Sequence, residues 1–165
     1  MLRIPKLSTL ALSALLLVAA QTSFAAEAMT EARAADTVAI QQLIVKYAHA
    51  YDLFDIEGYV GVFAEDAHFT FNGGDLKGRD AIRQFITGAK QRNEAAEGPA
   101  VKTFHSITNT LIEFDSPTTA HQRSYWQVLQ KGPEDEPVIV ANAGYYDDTL
   151  TKQNGQWLIQ TRNIP

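Results

Sequence analysis

The sequence predicts an α+β domain, with three helices in its first half packed on one face of an antiparallel sheet formed mainly by its second half. Two observations carry this. Apolar residues recur at helical spacing three times before residue 92, and the remainder reads as four alternating strands separated by turn residues. Runs of helices followed by runs of strands place the helices together on one sheet face.

Each element has its own signal. Ile40, Leu43, Ile44, Tyr47, Ala48 and Tyr51 follow a helical period, with Asp36 placed as N-cap and an end near Asp52. Asp55 is placed to cap a second helix, IEGYVGVFAE, with Ile56, Tyr59, Val60 and Phe63 on its apolar face. AHFTFNGGD alternates and runs into a Gly-Gly turn. Gly78 and Asp80 introduce a third helix, DAIRQFITGAKQ, with Ile82, Phe85 and Ile86 inward. The strands KTFHSITNTLIEF, AHQRSYWQVLQ, PVIVANAGYYDDTLTK and QWLIQTRNI follow, the last two joined by Asn154-Gly155, a hairpin signal.

The first 25 residues read differently. Arg3 and Lys6 precede the apolar run LALSALLLVAA, which falls short of the roughly 20 residues a membrane span requires. Ser23 and Ala25 suit cleavage before Ala26. The expectation is a cleaved signal peptide over 1–25, a single domain over 26–165, no stable membrane span, and an exported protein, periplasmic or secreted. Loss of Arg3 and Lys6 takes 14 basic residues to 12 against 19 acidic, and the formal net charge from −5 to −7. That balance argues against nucleic acid as a partner. The chain has no cysteine, so disulfides, Cys-ligated metal and Cys nucleophiles are excluded.

The polar residues that stand out are in VKYAHAYDLFD and KTFHSITN. Tyr47 and Tyr51, four apart, share a helix face, and Asp52 follows at the helix end. A carboxylate there serves either proton transfer or the turn before Asp55, and the phenols are either site or core residues. His105 shares a strand face with Ile107, Asn109 and Leu111 by alternation. It is a proton carrier in a pocket or an ordinary satisfied strand histidine. His49, on the opposite side of the helix from Tyr47, is expected in solvent. No histidine pair has zinc-ligand spacing, and neither a phosphate loop nor a G-x-S-x-G elbow is present. No metal and no cofactor are therefore expected. If the sheet curves around the helices, some of the many aromatic residues line a cavity suited to a flat apolar molecule.

The segments IQQLIVKYAHAYDLFDIEGYVGVFAEDAHF, LKGRDAIRQFI, KTFHSITNTLIEF and GYYDDTLTKQNGQWLI together resemble the SnoaL-like branch of the nuclear transport factor 2-like superfamily. The resemblance implies a cone-shaped fold: a strongly bent antiparallel sheet wrapped around three helices, with the ligand site inside. It is similar in particular to scytalone dehydratase and bile acid 7α-dehydratase, which implies a site built from Tyr47 or Tyr51, Asp52 and His105. Where scytalone dehydratase has a tyrosine, a second histidine and an asparagine, this chain has Phe71, Gln127 and Tyr146, so these three are expected to bind substrate and dehydration of scytalone itself is not implied. Arg162 is expected to pair with Asp148 on the neighbouring strand.

The function expected from these readings is cofactor-free acid–base chemistry, of dehydratase or isomerase type, on an apolar or aromatic small molecule. The alternative is a non-catalytic exported binding module of the same fold. A homodimer formed through the outer sheet face is expected.

Overall fold

The computed structural model describes residues 9–97, 102–132 and 136–165, with side chains from residue 30 onward. Arg3 and Lys6 of the expected leader lie outside the described residues. The elements are α1 (Thr9–Asp52), α2 (Ile56–Gly61), β1 (Phe63–Phe71), β2 (Gly74–Lys77), α3 (Gly78–Glu94), β3 (Lys102–Phe114), β4 (Thr119–Lys131), β5 (Ile139–Gln153) and β6 (Gln156–Ile164). Two compact units are present, Met1–Val38 and Ala39–Pro165.

In the first unit the described chain is helical throughout, so Asp36 lies inside α1 and is not its N-cap. The Ala- and Glu-rich stretch before it has high helix propensity and carries the helix past the expected start. Thr37 fits that interior position by donating its hydroxyl to the Arg33 carbonyl at 2.8 Å.

The second unit contains the sheet, in the order β2-β1-β6-β5-β4-β3. The meander β3 to β6 is antiparallel, as is the β1–β2 hairpin, but β1 pairs with β6 in parallel. The sheet is therefore mixed and not wholly antiparallel. Local hairpin signals read only neighbours in the chain, whereas parallel partners are joined through distant segments. Asn154 (φ 51°) and Gly155 (φ 80°) adopt the left-handed pair of a tight hairpin, as their identity predicts. The second helix is shorter than expected: Asp55 caps it by accepting the Gly58 N–H at 3.0 Å, but the chain turns to strand at Phe63.

Register shifts interrupt every strand pairing except β1–β2. Such bulges bend a strand and increase its twist. The shift in β3 has a visible cause. Asn109, at φ 52°, takes a conformation that asparagine tolerates better than most residues. Asn109 and Thr110 together oppose Ser124, because Thr108 pairs with Tyr125 and Leu111 with Arg123. The extra residue inverts the alternation beyond it. His105 and Ile107 are partly buried, but Leu111 is 59% exposed and does not share their face; Ile112 and Phe114 continue it.

The core joins α1, through Ile40, Leu43 and Tyr47, to Tyr59, Phe63 and Ile82. One ion pair lies fully inside it. Arg162 donates from Nε and Nη2 to the Asp148 carboxylate at 2.9 and 2.5 Å, and both side chains are 0% exposed. The Gln122 amide donates to the same carboxylate at 2.7 Å. The guanidinium is sandwiched between two rings, 3.9 Å from the Tyr47 centroid and 4.0 Å from that of Tyr146. The expected pairing of Arg162 with Asp148 is thus present, with aromatic faces replacing water around the cation.

Removing one partner of such a pair strands a buried charge. Arg162→Met should lower unfolding stability by about 3–5 kcal/mol in urea titrations. Arg162→Met combined with Asp148→Leu should recover much of that loss. A double variant no more stable than the single one would contradict a charge-stranding origin.

Candidate active site

The end of α1 determines where the candidate acid–base residues stand. After Asp52 the chain closes the helix with two reversed hydrogen bonds, Phe54 N–H to the Tyr51 carbonyl at 3.1 Å and Asp55 N–H to the Ala50 carbonyl at 2.8 Å. This is the Schellman arrangement, whose left-handed position usually holds glycine. Here it holds Phe54, at φ 51°. Asp52 is consequently the last helical residue, with its side chain free to reach outward to the sheet.

It reaches β3. That strand is at the sheet edge, beside β4 only, so some of its backbone N–H groups have no strand partner. Asp52 Oδ2 accepts the His105 backbone N–H at 2.8 Å, and Oδ1 lies 2.5 Å from His105 Nδ1. Both side chains are mostly enclosed, at 15% exposure for Asp52 and 11% for His105. The carboxylate can only accept, so Nδ1 carries a proton, and in a neutral ring the lone pair is then on Nε2. The Tyr51 ring stands edge-on to the imidazole, with centroids 5.1 Å apart.

His105 and Tyr51 form part of a wall between two cavities. On one side is a cleft of about 930 Å³ that also meets Asp52, Leu53 and Arg92. On the other is a chamber of about 450 Å³, bordered by Tyr47, Phe69, Phe71, Phe85, Trp126 and Tyr146, among others. With Tyr51, seven aromatic side chains beside one imidazole suit a flat, apolar occupant.

Of the residues singled out in the sequence, Tyr47, Tyr51, His105, Phe71 and Tyr146 border this chamber; Asp52 does not, but borders the cleft and is hydrogen-bonded to His105. Gln127 does not. It is exposed on the opposite face of β4, while its neighbours Trp126 and Val128 border the chamber. The cause is a register one residue out, which carries a strand residue to the other face. Trp126 was legible only from that parity, and Phe85 from the inward stripe of α3. The remaining histidines do not border the chamber: His68 pairs with Asp75 at 2.5 Å, His121 with Asp115 at 3.3 Å, and His49 is exposed and borders the larger cleft instead. Among the described residues no group of three or more His, Cys, Asp or Glu is placed to hold a metal ion.

The phenols behind the dyad are held neutral. Burial, then neighbouring Tyr47, raises the pKa of Tyr51 above the usual range, with Asp52 adding to the shift and Arg92 opposing it. Burial first and Tyr47 second also raise Tyr59 and Tyr146, against the opposing charge of Arg162. The Tyr59 hydroxyl donates to that of Tyr47 at 3.2 Å, which leaves the Tyr47 proton available for another acceptor.

These folded-state pKa values exceed that of an unfolded tyrosine, so above about pH 10 the unfolded chain releases protons that the native chain retains. The stabilisation is complete below that pH and declines as pH rises through the folded values. In a near-ultraviolet titration Tyr59 and Tyr146 should resist ionisation until the protein unfolds in alkali, and Tyr51 should ionise later than an exposed tyrosine. Ionisation of every tyrosine near pH 10, with the fold intact, would contradict this enclosure.

Comparison with known proteins agrees with this architecture. The SnoaL-like domain family matches residues 32–163. No curated protein matches the chain by sequence. Among solved structures, Rv3472 of Mycobacterium tuberculosis, a protein of unknown function, is 29% identical, with a TM-score of 0.69 over 82% of this chain and 74% of that one. A putative scytalone dehydratase from Novosphingobium aromaticivorans is 25% identical, with a TM-score of 0.66 over 82% and 86%. A cystatin-like-fold protein of unknown function from Nostoc punctiforme is also 25% identical, with a TM-score of 0.65 over 79% and 90%. With a family match across nearly all of the sheet and helices described above, the chain belongs to the SnoaL-like family.

Proposed function

We propose that this protein is a cofactor-free acid–base enzyme, of dehydratase or isomerase type, acting on an apolar or aromatic small molecule in the 450 Å³ chamber. The observation that carries the reading is the Asp52–His105 pair, in which one carboxylate holds both the backbone and the ring of a histidine bordering that chamber. Similarity to a putative scytalone dehydratase gives further support.

In an elimination, His105 Nε2 takes a proton from a carbon alpha to a carbonyl. The electron pair left behind forms the new carbon–carbon double bond and expels the beta hydroxyl. The imidazolium returns its proton to that leaving oxygen, and water departs. Asp52 keeps Nε2 as the basic nitrogen at the start and stabilises the imidazolium once it forms. Tyr51 or Tyr47 donates its phenolic proton toward the carbonyl oxygen as negative charge develops there, an interaction worth about 3–4 kcal/mol when such a donor is lost. Isomerisation uses the same first step and returns the proton to a different carbon.

The test is a panel of aromatic beta-hydroxy ketones and beta,gamma-unsaturated ketones, followed by the absorbance of the conjugated product. Turnover is expected for at least one member, with losses of about 10²–10⁴-fold in His105→Ala and Asp52→Asn and unchanged circular dichroism. Wild-type rates in both variants would remove the mechanism. Binding of these compounds without turnover would favour the non-catalytic binding module.

The same reading has the enzyme working after export, as a homodimer. The leader-like residues 1–25 support export, and the exposed outer-face residues Leu111, Tyr125 and Tyr145 support a sheet-to-sheet contact. Native mass spectrometry of protein recovered outside the cytoplasm should give a dimer of chains beginning at Ala26. A monomer, or a chain retaining Met1, would remove the corresponding half of this reading.

A further inference from the structure

The larger cleft, of about 930 Å³, has no part in the proposed reaction, yet it is twice the size of the chamber. It lies where the last turns of α1 and of α3 meet the start of β3. Apolar side chains stand open around it: Leu53 is 75% exposed and Phe104 40%. A concave space of this size, walled mostly by apolar groups with a few polar ones, has the make-up of a small-molecule site.

The cleft also holds cations that the fold does not neutralise. Arg79, Arg83, Arg123 and Arg162 pair with the carboxylates of Glu65, Glu57, Asp147 and Asp148. Arg92 borders the cleft and has no carboxylate partner among the described residues; nor has Lys102, at the start of β3. The Arg92 side chain runs back along α3, where a Cβ at Gly88 would stand 3.2 Å from its Nη1. From there its charge reaches Tyr51, whose pKa burial raises and Arg92 lowers. Capping of helix ends does not account for these cations. The carbonyls of His49, Ala50 and Tyr51 at the end of α1, and of Gln91 and Asn93 at the end of α3, already accept backbone N–H groups. The one carboxylate bordering the cleft, that of Asp52, is committed to His105. Two basic side chains thus face one apolar cleft on a chain whose formal net charge is −5.

We propose that this cleft is a second ligand site, for an apolar carboxylic acid whose carboxylate is held by Arg92 and Lys102 and whose hydrocarbon body lies against Leu53, Phe54 and Phe104. A guanidinium offers a planar fork that matches two carboxylate oxygens, and an ammonium adds a point charge. Covering the open apolar side chains with hydrocarbon removes them from water. The cleft and the chamber share Tyr51 and His105, so an acid in the cleft meets the dyad from the side of Asp52. The site stands whether or not the chamber holds the substrate of the proposed reaction.

The test titrates the protein with octanoate and with octanol, which share a chain and differ in charge, and follows side-chain resonances by nuclear magnetic resonance. Leu53 and Phe104 border the cleft alone, and Phe71 and Trp126 the chamber alone, so the shifted signals locate the ligand. Octanoate should shift Leu53 and Phe104 and bind more tightly than octanol. Arg92→Gln and Lys102→Gln should each weaken octanoate about three- to fivefold, with octanol nearly unchanged. Octanoate shifting Phe71 and Trp126 but not Leu53 would overturn the inference and leave the chamber as the ligand site. Octanol binding as tightly as octanoate, or octanoate affinity unchanged in the variant carrying both substitutions, would remove the role of the two cations. Absence of any shift at Leu53 and Phe104 with either compound would remove the site itself, without touching the proposed reaction.

Discussion

The attachment of an edge strand to a helix end through one carboxylate is the constraint around which the candidate site is organised. β3 has a strand neighbour on one side only, and the His105 N–H would otherwise face away from the ladder. Asp52 satisfies it and at the same time orients the imidazole. A buried carboxylate with a single acceptor role would carry an uncompensated desolvation penalty; two N–H donors reduce it. The same contact is therefore structural and chemical. It ties the end of α1 to the sheet edge, and it holds the imidazole of His105 beside an aromatic chamber.

The two tyrosines of α1 differ in how far the surrounding structure commits them. Tyr47 is fixed on several sides. Its ring covers the Arg162 guanidinium, its hydroxyl accepts from Tyr59, and Tyr146 meets it edge-on with centroids 5.6 Å apart. Tyr51 is partly exposed, stands against the His105 ring, and borders both cavities. Both phenols border the chamber, but Tyr47 is also built into the core, whereas Tyr51 stands directly against the dyad. Four residues of helix spacing place them on one face, yet their different depths give them different environments.

Much of this was readable in the residues, and the failures have physical causes. The boundaries of β3 and β6 follow from alternation and the Asn154-Gly155 turn, and Asp55 caps α2 because its side chain is short enough to reach back to Gly58. Pairing of Asp52 with His105 was accessible only through family resemblance, since 53 residues of chain separate them and periodicity carries no long-range information. Leu111 and Gln127 were misplaced for related reasons. A bulge at Asn109 inverts parity in β3, and an uncertain register in β4 exchanges Gln127 for Trp126. Period-two reasoning is reliable between bulges and fails across them. The parallel β1–β6 pairing leaves no local mark at all.

The bulges also explain how one sheet supplies both a core and a chamber. Toward the turn between β5 and β6, the inner face meets solid packing, with Leu150, Trp157 and Ile159 buried. Toward the other end of the meander, between the irregular step in β3 and that in β5, the inner face carries His105, Trp126, Val128 and Asn142 and borders open space. Bent strands diverge from the helices they cover, so the same ladder can be filled at one end and hollow at the other. Between those regions lies the Arg162–Asp148 pair under its two tyrosines. The two rings that cover this charge pair also border the chamber, so the same side chains serve the core and the chamber wall. The chamber is then a consequence of where the sheet bends, and the dyad at its wall a consequence of where α1 ends.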